Sequence, residues 1–112
     1  MQRAYVYGSL RKGHYNFKSF SGISYIKTTK LKGWDLFSLG SYPGIKPGKG
    51  TLVVDLVEMD NETYKQVLKM ELGAGYSEID ITIDGISGKF FPYNYNLTEL
   101  VPSGDWSDYK KY

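Results

Sequence analysis

The stretch Tyr5-Val6-Tyr7-Gly8-Ser9-Leu10-Arg11-Lys12-Gly13 decides how the chain is interpreted. Its first three residues are β-branched or aromatic, which predicts a strand that stops abruptly at Gly8. A glycine can take a positive φ, so we expect the following backbone N–H groups to point into one concavity that suits a carboxylate or phosphate. The alternative is an ordinary strand-to-loop turn. The stretch lacks the Gly-Lys-Ser/Thr of a nucleotide-binding P-loop.

The length and composition predict one soluble domain over residues 1–112. The 112 residues are 41% hydrophobic and 23% charged, near the values of ordinary globular proteins. No cysteine is present, which excludes disulfides, iron–sulfur clusters and thiol nucleophiles. His14 is the only histidine, so a histidine-built metal site is excluded as well. Composition therefore leaves no metal site built from cysteine or histidine.

The distribution of hydrophobic and charged residues bears on partners. No apolar run approaches the roughly 18 residues of a membrane helix, and none resembles the centre of a signal peptide, so we expect a cytoplasmic protein. We also expect a monomer or a weak dimer. Residues 1–50 contain nine basic residues and one acidic residue, whereas residues 51–112 contain five and eleven. Such asymmetry is compatible with nucleic-acid binding. Because the basic residues are scattered, we favour two halves that neutralise each other on folding.

Tyrosine and glycine are abundant, with 11 and 13 residues, which favours strands joined by tight turns. Asp84-Gly85 predicts a hairpin turn, and residues 16–20 predict one helical turn. Residues 40–50 are expected to form a loop because Pro43-Gly44 and Pro47-Gly48 interrupt them. The predicted strands are residues 3–7, 23–28, 31–39, 51–57, 79–83 and 89–95.

One main helix is predicted over about residues 61–72. Asp60 is the expected N-cap and Gly73 the expected C-cap glycine. The helical stripe runs through Tyr64, Val67, Leu68 and position 71.

The residue that completes this apolar stripe is a carboxylate, Glu71. Its orientation toward the core and its position in the last helical turn both disfavour a negative charge, so its pKa should be raised. A glutamate that titrates near neutral pH is suited to general acid/base catalysis. The alternative is a glutamate at the rim of the stripe with its oxygens in water.

Several segments resemble the gamma-glutamylcyclotransferase-like family, which includes the AIG2-like and YtfP-like proteins. The opening stretch, followed by Asn16, is similar to the family's apolar-Tyr-Gly-(Ser/Thr)-Leu-Arg-x-Gly-x-x-Asn signature. The similarity continues in order along nearly the whole chain, through Gly40-Ser41-Tyr42-Pro43-Gly44, residues 50–57, Leu68-Lys69-Met70-Glu71 with Tyr76, and Ser103-Gly104-Asp105-Trp106.

The resemblance implies an α+β fold, a small mixed β-barrel with one main helix, short extra helical turns and a cavity at the barrel mouth. It also implies an enzyme in which the α-amine of a γ-glutamyl group attacks its own γ-carbonyl and releases 5-oxoproline and an amine or amino acid. Glu71 matches the family's catalytic glutamate. Because the nucleophile belongs to the substrate, no metal or cofactor is required.

The resemblance assigns substrate binding to the first loop and to one late tyrosine. Tyr7, Gly8, Ser9 and Leu10 match the loop that cradles the substrate carboxylate, and Arg11 is expected to pair with an anion or with Glu71. Tyr93 is the best match for the tyrosine that lines the cavity, with Tyr95 as the alternative. The chain departs from the family in Lys69 and in the Leu-Gly-Ala-Gly that follows Glu71, which bears on activity more than on fold.

Two other functions remain open. The same fold could bind a small anionic metabolite without turning it over, or the basic first half could bind nucleic acid with strong salt dependence. His14 is expected to pack within its loop or lie at the surface, and Asp105 and Trp106 are expected to form a structural lock. The leaving group is not identified by the sequence.

Overall fold

The computed structural model describes residues 1–109 of the chain. Six strands form one sheet in the order β4-β5-β1-β3-β2-β6, and three helices accompany it. The elements are β1 (Gln2–Val6), α1 (Tyr15–Ser19), β2 (Ile23–Ser38), β3 (Pro43–Met59), α2 (Asn61–Gly73), β4 (Ile79–Ile83), β5 (Ile86–Phe90), β6 (Glu99–Leu100) and α3 (Trp106–Tyr109).

The sheet is mixed, because β1 runs parallel to β5 while the other pairs are antiparallel. It curls into a half-barrel, which confirms the predicted α+β class with one main helix and short extra helical turns. The core includes Tyr5, Leu56 and Phe90 of the sheet and Trp106 of α3, each no more than 1% exposed. Among the described residues, no helix is long and apolar enough to cross a membrane.

The two strands predicted over residues 23–28 and 31–39 are one strand, β2, and the predicted break is wrong. Instead of ending, β2 changes register against β3 between Tyr25 and Lys27 and again between Lys32 and Trp34. Gly33 lies in the second irregularity with φ +96°, a conformation that glycine adopts without a steric cost. The glycine therefore marks a bulge within a continuous strand.

The loop predicted over residues 40–50 is confined to residues 39–42. Ser38 already pairs with Pro43, and the Leu39 N–H donates to the Tyr42 carbonyl across the turn at 2.8 Å. Pro43 is the first residue of β3, a position where the missing N–H is tolerated. The strand signal of residues 51–57 therefore extends eight residues further toward the N-terminus than predicted.

The hairpin of β4 and β5 turns at Asp84-Gly85, as predicted. Both residues have positive φ, 52° and 79°, as a two-residue hairpin of this kind requires. The return strand begins at Ile86 and ends at Phe90, before Pro92, so the predicted bounds 89–95 lie too late in the chain. Ile79 is 37% exposed because β4 is the outermost strand of the sheet.

Helix α2 begins as predicted and ends differently. The Asp60 carboxylate accepts from the Thr63 N–H at 2.7 Å, which confirms the N-cap. Gly73 is the last helical residue, and Ala74 is the C-cap. The left-handed glycine of the cap is Gly75, with φ +99°. The prediction of Gly73 was wrong because Ala74 continues the turn for one more residue.

Ion pairs join the basic and acidic halves of the chain, as the charge distribution predicted. Arg3 pairs with Glu58 at 3.4 Å on the surface. Arg11 pairs with Asp55 and Asp105 in the interior.

Candidate active site

A cavity opens where the loop after β1 meets the end of α2. Its inner compartment has a volume of about 40 Å³. Glu71 and residues 8–10 line the same compartment. The structure therefore brings together the predicted acid/base residue and the predicted anion-binding loop. The lining residues are Val6, Tyr7, Gly8, Ser9, Leu10, Tyr42, Pro43, Glu71, Tyr76 and Phe91.

An outer compartment of about 180 Å³ continues from the inner one. The two share four residues, namely Ser9, Tyr42, Glu71 and Tyr76. Asn16, Met70 and Ala74 complete the outer walls, which are largely apolar. Glu71 and Ser9 therefore stand at the boundary between the smaller inner compartment and the larger outer one.

Glu71 is partly buried in this wall, as its place in the helical stripe predicted. Tyr64 and Val67 of the same stripe are buried, which fixes the face of α2 that looks inward. Desolvation by burial raises the pKa of Glu71 from its ordinary 4.5 to about 7. The carboxyl group can therefore both accept and donate a proton near neutral pH.

The C-terminal cap of α2 connects Glu71 to another wall residue. The Tyr76 N–H donates to the Glu71 carbonyl at 3.1 Å, and the Gly75 N–H donates to Leu72 at 3.4 Å, the pair of bonds of a Schellman motif. The Tyr76 hydroxyl donates to the Pro43 carbonyl at 2.5 Å. The end of the helix is thus tied to the start of β3 across the cavity.

The loop of residues 8–10 differs in detail from the expectation. Gly8 is not among the glycines with positive φ, so the predicted left-handed conformation is wrong. Glycine is needed there for close approach, because an added Cβ would lie 2.8 Å from Pro43 Cγ. Among residues 1–109, no group accepts a hydrogen bond from the backbone N–H groups of residues 8–10. Residues 8–10 line the inner compartment, and backbone donors without an acceptor suit an anion.

Asn16 holds this loop in place, a role that the sequence did not assign. Its side-chain amide donates to the Ser9 Oγ at 2.7 Å. The backbone N–H groups of Asn16 and Phe17 both donate to the Ser9 carbonyl, at 3.0 and 3.1 Å. The sequence contains both residues at a Ser-x6-Asn spacing. Their contact forms because α1 folds back onto the loop, which the spacing alone does not predict.

Arg11 does not reach the cavity, so the expectation that it pairs with a substrate anion or with Glu71 is corrected. It is 7% exposed, its Nη1 lies 2.7 Å from Asp105 Oδ1, and its Nε lies 3.3 Å from Asp55 Oδ2. Asp55 also accepts from the Lys12 N–H and the Thr28 hydroxyl. The guanidinium of Arg11 is thus paired with two carboxylates of the protein itself. These ion pairs join the loop to β3 and to the C-terminal turn.

The cavity tyrosines are not the predicted ones. Tyr93 packs edge-on behind Tyr76 with ring centroids 5.0 Å apart, one ring removed from the cavity wall. Tyr95 packs on the far side of Tyr93 and is 67% exposed. Tyr76 and Tyr42 occupy the wall instead. The assignment to Tyr93 is corrected because its ring packs against Tyr76 and it lines neither compartment.

The side chains of Tyr7 and His14 are buried and make hydrogen bonds within the protein. The Tyr7 hydroxyl donates to the Phe91 carbonyl at 2.6 Å, and burial raises its pKa well above the ordinary value, so it stays neutral. His14 packs in its loop as predicted, 3% exposed and 2.8 Å from the Ser107 hydroxyl. Desolvation, followed by the nearby Arg11, lowers its pKa. Trp106, at 1% exposure, and the pairing of Asp105 confirm the predicted lock.

Comparisons with known proteins identify the family and the fold. The family model described as "Gamma-glutamyl cyclotransferase, AIG2-like" matches residues 4–108. The gamma-glutamylcyclotransferase family protein YtfP of Escherichia coli K12 is 30% identical over 97% of this chain and 99% of its own. The solution structure of ytfP from Escherichia coli superposes with a TM-score of 0.77 at 31% identity, covering 96% and 98% of the two chains.

A second structural relative superposes more closely. The crystal structure of PH0828 from Pyrococcus horikoshii gives a TM-score of 0.87 at 25% identity, with 97% of this chain and 92% of that chain covered. Sequence, fold and family model thus agree over nearly the full length. The chain belongs to the AIG2-like gamma-glutamyl cyclotransferase family.

Proposed function

We propose that the protein is a cofactor-free gamma-glutamylcyclotransferase that converts γ-glutamyl amines or γ-glutamyl amino acids into 5-oxoproline and a free amine or amino acid. One observation carries this proposal. A carboxyl group that titrates near neutral pH, Glu71, lines the same narrow cavity as the backbone donors of residues 8–10. This juxtaposition matches a substrate with an α-carboxylate, an α-amine and a γ-amide.

The inner compartment would receive the amino-acid end of the substrate. Its α-carboxylate would accept hydrogen bonds from the backbone N–H groups of residues 8–10. No group among the described residues accepts a hydrogen bond from these N–H groups. The scissile amide would then lie beside Glu71, and the leaving group would extend into the outer compartment. Curling the chain in this way brings the α-nitrogen close to the γ-carbon, which accelerates ring closure by proximity.

Glu71 supplies the proton transfers in this scheme. Its carboxylate removes a proton from the α-ammonium, and the resulting amine attacks the γ-carbonyl carbon to form the ring C–N bond. A second proton leaves the ring nitrogen, which keeps one hydrogen. The γ-amide C–N bond breaks as the leaving nitrogen gains both protons and departs as an ammonium. A pKa of about 7 suits a group that must alternate between both forms.

The test is the release of 5-oxoproline from γ-glutamyl substrates that carry different leaving groups. Glu71→Gln keeps the size of the side chain and removes its proton chemistry, so kcat should fall by about 10² to 10⁴. Glu62→Gln is the matched control, because Glu62 lies in the first turn of the same helix and is exposed. It should retain wild-type activity.

The product assay, combined with a measurement of thermal stability, separates the proposal from the binding-module alternative. Ligand-induced thermal stabilisation without any 5-oxoproline from the wild-type protein would favour a non-catalytic site. Product formation that is unchanged in Glu71→Gln would reject the acid/base role of Glu71.

A further inference from the structure

The side chain of Ser9 is placed differently from the backbone donors of its loop. Its hydroxyl oxygen accepts from the Asn16 amide at 2.7 Å. Among residues 1–109, no group accepts the hydroxyl hydrogen of Ser9. A hydroxyl has one hydrogen to donate, so the Asn16 contact uses the acceptor side of Ser9 and leaves the donor side available.

The position of Ser9 limits what this hydrogen can meet. Ser9 and Glu71 both line the inner and the outer compartment, whereas Gly8 and Leu10 line only the inner one. In the proposed binding mode the boundary is occupied by the scissile amide, with its nitrogen near Glu71. The remaining polar atom of that amide is the γ-carbonyl oxygen.

We infer that Ser9 is an oxyanion donor: its hydroxyl donates to the γ-carbonyl oxygen as negative charge develops there, and Asn16 is the positioning residue that orients it. The inference rests on the proposed cyclotransferase function. When the α-nitrogen adds to the γ-carbon, the electron pair of the C=O bond moves to oxygen. It returns when the C–N bond to the leaving nitrogen breaks. A fixed donor at that oxygen stabilises the transition state.

The Asn16 contacts explain how the hydroxyl is held. The side-chain amide fixes the oxygen from one side, while the backbone N–H groups of Asn16 and Phe17 hold the Ser9 carbonyl. An aspartate at position 16 would offer only acceptor atoms. The Ser9 hydroxyl would then turn toward that carboxylate and its hydrogen would be lost to the substrate.

The first experiment compares steady-state kinetics of Ser9→Ala, Asn16→Asp and the double variant. We expect kcat to fall about 10- to 1,000-fold in Ser9→Ala with a small change in KM. Asn16→Asp should lower kcat in the same way, and the double variant should resemble Ser9→Ala, because both changes remove one interaction. Additive losses, or losses that appear only in KM, would overturn the inference.

The chain offers a matched control pair. The Ser77 hydroxyl donates to the Asn94 side chain at 2.5 Å on the surface, outside both compartments. Ser77→Ala and Asn94→Asp repeat the same chemical changes away from the cavity. Both should leave kcat and KM unchanged, and an equal loss in these controls would contradict a specific role for Ser9 and Asn16.

A binding measurement decides the inference independently of turnover. 5-Oxoproline carries the γ-carbonyl oxygen, whereas cyclopentanecarboxylate has a ring and a carboxylate without it. By calorimetry, Ser9→Ala should weaken 5-oxoproline binding several-fold and leave cyclopentanecarboxylate unaffected. Equal effects on both ligands, or no binding of 5-oxoproline to the wild-type protein, would overturn the donor role. If the wild-type protein binds 5-oxoproline but forms none, the cyclotransferase proposal fails and the oxyanion role of Ser9 fails with it. A selective loss of 5-oxoproline binding in Ser9→Ala would then show only a donor to the bound carbonyl oxygen.

Discussion

The backbone N–H of Tyr76 donates to the carbonyl oxygen of Glu71 at 3.1 Å, so two walls of the cavity are held together by the cap of one helix. The backbone positions that carry the Tyr76 ring and the Glu71 carboxyl group are therefore fixed relative to each other. The hydroxyl of Tyr76 extends the link to Pro43 at the start of β3. The position of the proposed acid/base residue depends on how α2 ends.

Two glycines at this helix end should respond oppositely to alanine. Gly73 has open space around its Cα and lies within the helix, so Gly73→Ala should raise the free energy of unfolding by about 0.5 to 1 kcal/mol. Gly75 has φ +99°, and an added Cβ would lie 2.8 Å from the Tyr95 ring. Gly75→Ala should lower it by about 1 to 2 kcal/mol or more. Urea unfolding of both variants measures the difference, and equal effects would contradict the cap.

Gly8→Ala should damage the loop that lines the inner compartment. Its Cβ would lie 2.8 Å from Cγ and 2.9 Å from Cδ of Pro43, so the loop or β3 must shift. We expect a loss of about 1 to 3 kcal/mol in the free energy of unfolding, together with weaker binding of 5-oxoproline. Gly73→Ala serves as the control. Unchanged binding in Gly8→Ala would show that the spacing between the loop and Pro43 is unimportant.

Arg11 should contribute to stability rather than to substrate binding. Arg11→Met leaves Asp55 and Asp105 without their cation in the interior, and the free energy of unfolding should fall by about 3 to 5 kcal/mol. Arg3→Met removes the more exposed pair with Glu58 and should cost less than about 1 kcal/mol. A similar loss in both variants by urea unfolding would contradict the distinction.

The raised pKa of Glu71 should appear in the pH dependence of stability. Between about pH 4.5 and pH 7 the folded protein retains a proton on Glu71 that the unfolded chain releases, so the free energy of unfolding falls as pH rises. The full effect is up to about 3 kcal/mol. Urea unfolding at about pH 5 and about pH 8 measures it. Glu71→Gln should abolish this part of the slope and Glu62→Gln should retain it, whereas parallel profiles of all three proteins would contradict it.

Local patterns predicted the elements that short-range chemistry determines. The Asp60 cap, the Asp84-Gly85 turn and the inward position of Glu71 each follow from a few neighbouring residues. The predicted break in β2 lay at residues 29–30, but Thr29 and Lys30 pair with Val54 and Val53 without interruption. Whether two neighbouring strand segments form one strand depends on the length of the partner strand β3, which residues 23–38 do not encode.

The errors at the site have a different origin. The partner of Arg11 depended on Asp55 and Asp105, which lie 44 and 94 positions away along the chain. The exchange of Tyr93 for Tyr76 depended on which of these two packed rings lines the cavity. The pairing of Asn16 with Ser9 depended on α1 folding back over the loop. These contacts are set by tertiary packing, which no local periodicity encodes.

The most direct test of the account is a carbon-13 NMR titration of the Glu71 side-chain carboxyl group, assigned by comparison with Glu71→Gln. The account predicts a midpoint at about pH 7, because burial in the cavity wall disfavours the carboxylate. A midpoint near the ordinary 4.5 would place the carboxyl group in contact with bulk water and contradict its role as a proton carrier.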